Sequence, residues 1–255
     1  MASQQTFLTC YRGTQGKLRH MAYMRMAKVL FLQKLIDAAE ISLEHKRVFD
    51  YGFGAGTFFH VCPRSASLFG VELDPLAVQE VASSVRAAGF QHVDLQALAI
   101  ETWAAHALLQ QRYDVVVCSH VLEHLPDPIA FLRIMNDCLL PGGSFLALVP
   151  INERKPDPHH QLVVTRSIVE EWTRAADLEM VAYEEHDPWI YWAQPLFTHQ
   201  SGLQHKAAQA ISISLGIPAT LLGYKTWFEL GRTLGNATGS RPMQAGFVLR
   251  RAARR

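Results

Sequence analysis

Three stretches of the chain concentrate side chains able to do chemistry. The first, Asp50-Tyr-Gly52-Phe-Gly54-Ala-Gly56, sets a carboxylate beside three closely spaced glycines. Glycine reaches backbone angles closed to other residues and lets a ligand touch the main chain. Glu72 follows about twenty residues on, the spacing at which a second carboxylate can chelate ribose hydroxyls. The second stretch is Ser119-His120-Val-Leu-Glu123-His124, and the third is His159-His160. Imidazoles exchange protons near neutral pH and also bind divalent metals.

The glycine spacing separates one cofactor class from another. Dinucleotide sites use GxGxxG, with a helix N-terminus turned toward a pyrophosphate. Here the spacing is GxGxG, and Asp50 stands two residues before the first glycine. A carboxylate in that place repels a pyrophosphate. It suits an adenosine cofactor that carries an ammonium and a sulfonium, which is S-adenosylmethionine. Leu73, beside Glu72, and Ser119 complete this side of the expected cofactor set.

Strands and helices alternate around these residues. Arg47–Tyr51 and Leu68–Glu72 read as strands, and Asp74-Pro75 opens a helix running to about Ala88. Asp caps a helix well, and Pro costs nothing at the first helical position. His92–Leu95 is a weak strand. Tyr113–Cys118 is a strong one, apolar on consecutive positions like a strand buried on both faces. Asp127-Pro128 starts a helix that Pro141-Gly-Gly143 is expected to end, and Ser144–Val149 forms a fifth strand. Thr165 caps a helix to about Ala176, Leu178–Glu184 is a sixth strand and Phe247–Arg250 a last one. An α/β fold follows, with a doubly wound, mostly parallel sheet.

The expected organisation is a helical N-terminal lid (1–44), a cofactor-binding core (45–186), a helical cap inserted between the last two strands (187–241), and a final strand with a basic tail (242–255). Apolar periodicity predicts a helix over 17–40, and the cap is expected to hold two helices near 203–215 and 219–235. Trp189, Tyr191, Trp192, Phe197, Trp227 and Phe228 mark the cap, as its own small core, a pocket wall, or a surface for a membrane or second subunit. With 24 Lys+Arg against 23 Asp+Glu, the charge balance calls for no DNA partner. Charged residues make up 18%, below the globular average of about 25%. Cys10, Cys62, Cys118 and Cys138 include no CxxC pair and read as reduced cytosolic thiols. The first residues do not read as a secretory signal, and no apolar run reaches membrane-span length. A cytoplasmic protein is the expectation.

The segments VFDYGFGAG (48–56), GVELDP (70–75), YDVVVCSHVLEHLPDP (113–128) and LLPGGSFLALVP (139–150) resemble the class I S-adenosylmethionine-dependent methyltransferases of the small-molecule group. The likeness covers about residues 45–185. It implies a seven-stranded sheet with an antiparallel last strand, Asp50 and the glycines holding the methionine and ribose part, and Glu72 on the ribose hydroxyls. Two departures stand out. Tyr51 and Phe53 are bulkier than the family's usual residues and are expected to crowd the loop. The family's common acid after the third strand is missing from Leu95–Glu101, which leaves the backbone of Leu98 and Ala99 for the adenine.

In such an enzyme His120 sits at the sheet edge toward which the cofactor's methyl points. Methyl transfer is an in-line displacement in which alignment matters most. A neutral imidazole there can take a proton from an acceptor hydroxyl, so His120, with His124 beside it, is the expected base or acceptor orienter. His120, Glu123 and His124 at i, i+3 and i+4 share one face of a helical turn. With His160 they would offer four ligands to a divalent ion, a layout similar to some RNA-end methyltransferases with a Glu-x-x-Glu-His segment; this chain has His at the first Glu. Capping and packing without a metal is the competing expectation. No Asn-Pro-Pro-Tyr turn follows the fourth strand, which argues against methylation of DNA adenine or glutamine nitrogen. Tyr11, His20 and Tyr23, with His159 and His160, are the expected acceptor-pocket residues, and the Lys and Arg of residues 11–28 are expected to form a solvated face. The expected activity is methylation of a small molecule, most directly at oxygen. A metal-dependent RNA-end methyltransferase and a non-enzymatic cofactor-binding protein remain the alternatives.

Overall fold

The computed structural model describes residues 23–154, 159–191 and 202–251. Its elements are α1 (Tyr23–Ala38), β1 (Arg47–Tyr51), β2 (Ser67–Glu72), α2 (Pro75–Ala87), β3 (Val93–Ala97), β4 (Tyr113–Ser119), α3 (Pro128–Asp137), β5 (Leu139–Pro150), α4 (Arg166–Ala175), β6 (Leu178–His186), α5 (Gly202–Thr238) and β7 (Gln244–Arg251). The strands form one seven-stranded sheet in the order β3-β2-β1-β4-β5-β7-β6. β1 to β5 run parallel, and β7 is antiparallel to both of its neighbours. The order reverses between β1 and β4, so a crevice opens at their carboxyl ends.

Local chemistry explains the elements. Val116, Val117 and Cys118 of β4 are fully buried. Burying each valine contributes about 1.5–3 kcal/mol, which a two-sided sheet collects at every position. Asp74 accepts from the Leu76 amide at 3.1 Å and Asp127 from the Ala130 amide at 2.9 Å. Each cap is worth about 1 kcal/mol. Thr165 caps α4 through the Ile168 amide at 3.4 Å.

Two expected boundaries are corrected. α3 ends at Asp137, and Pro141-Gly-Gly143 lies inside β5. Tyr113 pairs with Leu139 but Val115 pairs with Ser144, so extra residues bulge from β5 at this point. A Cβ on Gly143 would lie 2.9 Å from the Leu140 carbonyl oxygen and 3.0 Å from that of Asp114, which is why glycine stands there. The second correction concerns α5, whose only non-helical residue is Gly223 (φ 70°, ψ 169°). The break falls there rather than between 215 and 219, because glycine adopts that backbone without strain.

One face of the sheet is covered by α1 and α5. A Cβ on Gly246 of β7 would meet Leu35 at 2.6 Å, so α1 lies directly on the strand. Phe31, Leu35, Trp227 and Phe228 are buried there, and Trp189 stacks on Trp227 with 4.3 Å between centroids. These cap aromatics therefore join a core shared with α1; Trp192 and Phe197 lie outside the described residues. Phe131, Leu132 and Trp172 of α3 and α4 fill the opposite face. Among the described residues no helix is long and apolar enough to cross a membrane.

Candidate active site

The crevice is built from the segments that leave β1 and β4. Gly52, Gly54 and Gly56 all have positive φ, of 71°, 53° and 69°. At Gly52 a Cβ would also come within 2.7 Å of Val121 Cγ2, so the loop after β1 packs closely on the loop after β4. Tyr51 and Phe53 do not crowd this loop. Phe53 is buried on Gly70, and Tyr51 packs edge-on against Phe131, 4.9 Å away.

Asp50 lies on β1 between Gly70 and Val117, 3% exposed, with Oδ1 buried and unpartnered. Burial pushes its carboxyl up to about 8; the Glu72 charge adds to the rise and Lys28 opposes it. Glu72 fastens the glycine loop: Oε2 accepts from the Gly54 amide at 2.7 Å, and Oε1 accepts from the Leu73 amide at 2.7 Å. Burial raises its pKa, against those backbone donors. Leu98 follows β3 and donates its amide to the Glu72 carbonyl at 2.8 Å, with exposed Ala99 next to it. The Ser119 hydroxyl is another buried atom without a partner. An orphaned carboxylate oxygen, an orphaned hydroxyl and bare glycine backbone fit a cofactor carrying cationic and hydroxyl groups.

Lys28 is a functional candidate that the sequence reading put on a solvated face. Burial pulls its amine down to about 8, while the Glu123 and Asp50 charges pull it up and Arg25 pushes it down. The signal was present in the sequence. Lys28, Leu32 and Leu35 follow i, i+4, i+7, and both leucines are buried, at 1% and 0% exposure.

His120 leaves β4 with φ 57°, its amide bonded to the Leu148 carbonyl at 2.8 Å. Its Nδ1 is 3.4 Å from Oε1 of fully buried Glu123, and its Nε2 is buried without a partner. Burial lowers the His120 pKa and Lys28 lowers it further, so the imidazole rests neutral. A short 3-10 turn, Leu122–His124, follows. His120 therefore precedes the turn, yet its ring still meets Glu123 as the i, i+3 spacing predicts. Glu123, His124 and His160 do come together, with one ligand atom from each within 4.8 Å of the others. His160 Nδ1 is 2.7 Å from Glu153, and His124 Nδ1 is 3.1 Å from the carbonyl oxygen of His159.

Tyr23 does not line an open pocket. It is fully buried, its hydroxyl donates to Asp187, and it accepts from Trp227 Nε1 at 3.3 Å. Tyr11 and His20 lie outside the described residues.

Comparison with known proteins agrees with this geometry. The family described as "Methyltransferase domain" matches residues 20–203. The ubiquinone biosynthesis O-methyltransferase of Xanthomonas campestris pv. campestris is 28% identical over 173 residues, covering 60% of this chain and 71% of that protein. Its counterpart in Idiomarina loihiensis is 35% identical over 100 residues, covering 39% and 40%. Among solved structures, coclaurine N-methyltransferase bound to N-methylheliamine and SAH superposes with a TM-score of 0.62 at 13% identity, covering 97% of this chain and 80% of that one. A S-adenosylmethionine-dependent methyltransferase from Clostridium acetobutylicum gives 0.55 at 9% identity, covering 98% and 99%.

Proposed function

The chain belongs to the class I S-adenosylmethionine-dependent methyltransferases, and from that premise we propose that it methylates an oxygen of a small-molecule acceptor. S-adenosylmethionine, when bound, supplies the methyl group on its sulfonium. Asp50 and the backbone of Gly52, Gly54 and Gly56 hold its methionine and ribose part. Glu72, with Leu73 beside it, would accept from the ribose hydroxyls. Leu98 and Ala99 would hold the adenine, Ser119 would serve the ribose–methionine part, and Lys28 would pair with the carboxylate of the methionine. His120 takes the proton of the acceptor hydroxyl as the oxygen becomes nucleophilic. The observation that carries this reading is a neutral His120 at the carboxyl end of β4, beside the glycine loop, with Glu123 Oε1 3.4 Å from Nδ1 to stabilise the imidazolium. Relatives named as O-methyltransferases support oxygen as the target. The free, buried thiols of Cys62, Cys118 and Cys138 suit the cytoplasm, where we place the enzyme.

The test is a panel of phenols, catechols and sugars assayed for S-adenosylhomocysteine formation, with His120→Ala as the probe variant. Turnover should fall by about 10²–10⁴-fold, the usual worth of a general base, with cofactor affinity unchanged. A variant that turns over like the wild type removes His120 from the chemistry. The Glu123, His124 and His160 set favours a second reading, a metal-dependent methyltransferase acting on an RNA end. Metal analysis of the purified protein and assays in chelator separate the two.

A further inference from the structure

Nine large apolar side chains are exposed among the described residues, and six of them sit on α5. They are not scattered. In the half of α5 before Gly223, the exposed positions Ala207, Ala210, Ile211, Ser214, Ile217 and Leu221 follow steps of three and four, so they form one stripe along the helix. Ser212, Gly216 and Ala219 are buried on the opposite side of the same helix. Ile217 keeps 46% of its surface in solvent and Leu221 keeps 80%. Leu222, also exposed, widens the stripe where the helix breaks at Gly223. A contiguous apolar surface of this kind marks a contact site, whereas single exposed leucines mark nothing.

The charges around the stripe say what it meets. Residues 207–224 contain no Asp, Glu, Lys, Arg or His, and exposed Lys206 and Lys225 stand at the two ends. No Asp or Glu occurs anywhere from 188 to 228. Asp37 of α1 reaches the elbow, where the Tyr224 hydroxyl engages it. An acid-free apolar face bounded by cations complements an anionic lipid surface. The aliphatic groups enter the acyl boundary, and the ammonium groups stay among the headgroup phosphates. The segment lies on such a surface and does not span it, since Pro218 and Gly223 interrupt it and it lacks the apolarity of a span. A second copy of the chain suits the face less well. Two-fold pairing of antiparallel stripes about Ser214 sets Lys206 of one copy near Lys225 of the other, and parallel pairing sets Lys206 against Lys206. Like charges meet in both, with no acid in the stripe to separate them.

We propose that the α5 face of Ile211, Ile217, Leu221 and Leu222 seats the protein on an anionic bilayer surface, with Lys206 and Lys225 on the headgroup phosphates. The proposal stands apart from methyl transfer, because it involves neither His120 nor the cofactor crevice. A peripheral seat on the inner face of a membrane is compatible with the cytoplasmic placement above.

The test mixes the full chain with vesicles of phosphatidylcholine alone, or of phosphatidylcholine with about one-third phosphatidylglycerol, and reads binding by co-sedimentation. The wild type should bind the anionic vesicles about 10–30-fold more tightly than the neutral ones, the worth of two lysines near a charged surface, and high salt should erase the difference. The double variant Lys206→Gln, Lys225→Gln should bind both vesicles alike. The double variant Leu221→Ser, Leu222→Ser should bind anionic vesicles about tenfold more weakly or worse. All four side chains lie in solvent in the free protein, so melting temperature and S-adenosylmethionine affinity should stay at wild-type values. If the leucine double variant is unstable, Leu221→Ser alone decides. No vesicle binding, equal wild-type binding to the two vesicle types, or binding unchanged in the leucine variant each overturns the proposal. Sedimentation velocity covers the other occupant. A lipid-free monomer supports the proposal, and a dimer that the leucine variant splits assigns the face to a second copy and overturns it.

Discussion

Asp50 offers the sharpest test of how the cofactor is held. In the free protein its carboxyl is pushed from 3.8 up to about 8, first by burial and then by Glu72. At pH 7 such a group is about nine-tenths protonated. A bound cation requires it ionised, so binding should release nearly one proton at pH 7. Affinity should then climb about tenfold per pH unit from pH 6 to 7.5, a window in which an α-amino group of pKa about 7.7–8.0 stays mostly charged. Titration calorimetry of S-adenosylmethionine in two buffers of different ionisation enthalpy counts the proton directly. Asp50→Asn should bind more weakly and lose the slope. The same carboxylate should weaken the empty fold. Its folded pKa lies above its unfolded one, so the protein takes up a proton on folding. Stability is full below about pH 4 and is lost as the pH climbs toward 8. At 1.36 kcal/mol per pH unit the ceiling is roughly 6 kcal/mol, lowered by whatever Lys28 compensates. The melting temperature of cofactor-free Asp50→Asn should therefore gain on the wild type from pH 5 to 8 and then level off. A flat wild-type affinity profile, or a slope that survives in Asp50→Asn, refutes the reasoning; a surviving slope moves the proton to Glu72.

Lys28→Met should weaken cofactor binding by about tenfold to a hundredfold, the worth of a charged hydrogen bond, and calorimetry returning wild-type affinity removes Lys28 from the site. Gly143→Ala brings a Cβ to 2.9 Å from the Leu140 carbonyl oxygen, and urea denaturation should register a loss of about 1–3 kcal/mol. Trp227→Phe deletes the donor 3.3 Å from the Tyr23 hydroxyl and should cost about 1 kcal/mol in the same assay; no change would show that hydrogen bond to be idle.

The parts of this protein legible in its sequence are those written in short-range patterns. β1, β2 and β4 stand within a residue or so of their expected positions, and in β4 two-sided burial leaves an unbroken apolar run from Val115 to Cys118. Asp74 and Asp127 cap helices as their Asp-Pro pairs announce. Asp187-Pro188 has the same spelling and a different use: its carboxylate makes no cap and turns inward to Tyr23 and Gln244. Only tertiary placement separates those outcomes. Pro141-Gly-Gly143 is ambiguous for a similar reason, since a turn and a bulge demand the same residues and differ in what pairs on either side. Of the site, the glycines, Asp50, Glu72 and His120 could be found from sequence. Lys28 required weighing a charge against its apolar stripe.

The sheet order also dictates a timetable. Among the described residues β6 has one neighbour, β7, and β7 is the later of the two to leave the ribosome. Until it threads between β5 and β6, both offer bare edges, and an unpaired edge invites mispairing. Slots filled this late join segments far apart in sequence, which slows assembly. Because Gly246 of β7 packs on Leu35 of α1, the last wedge to seat also carries the surface on which the helix of Lys28 rests.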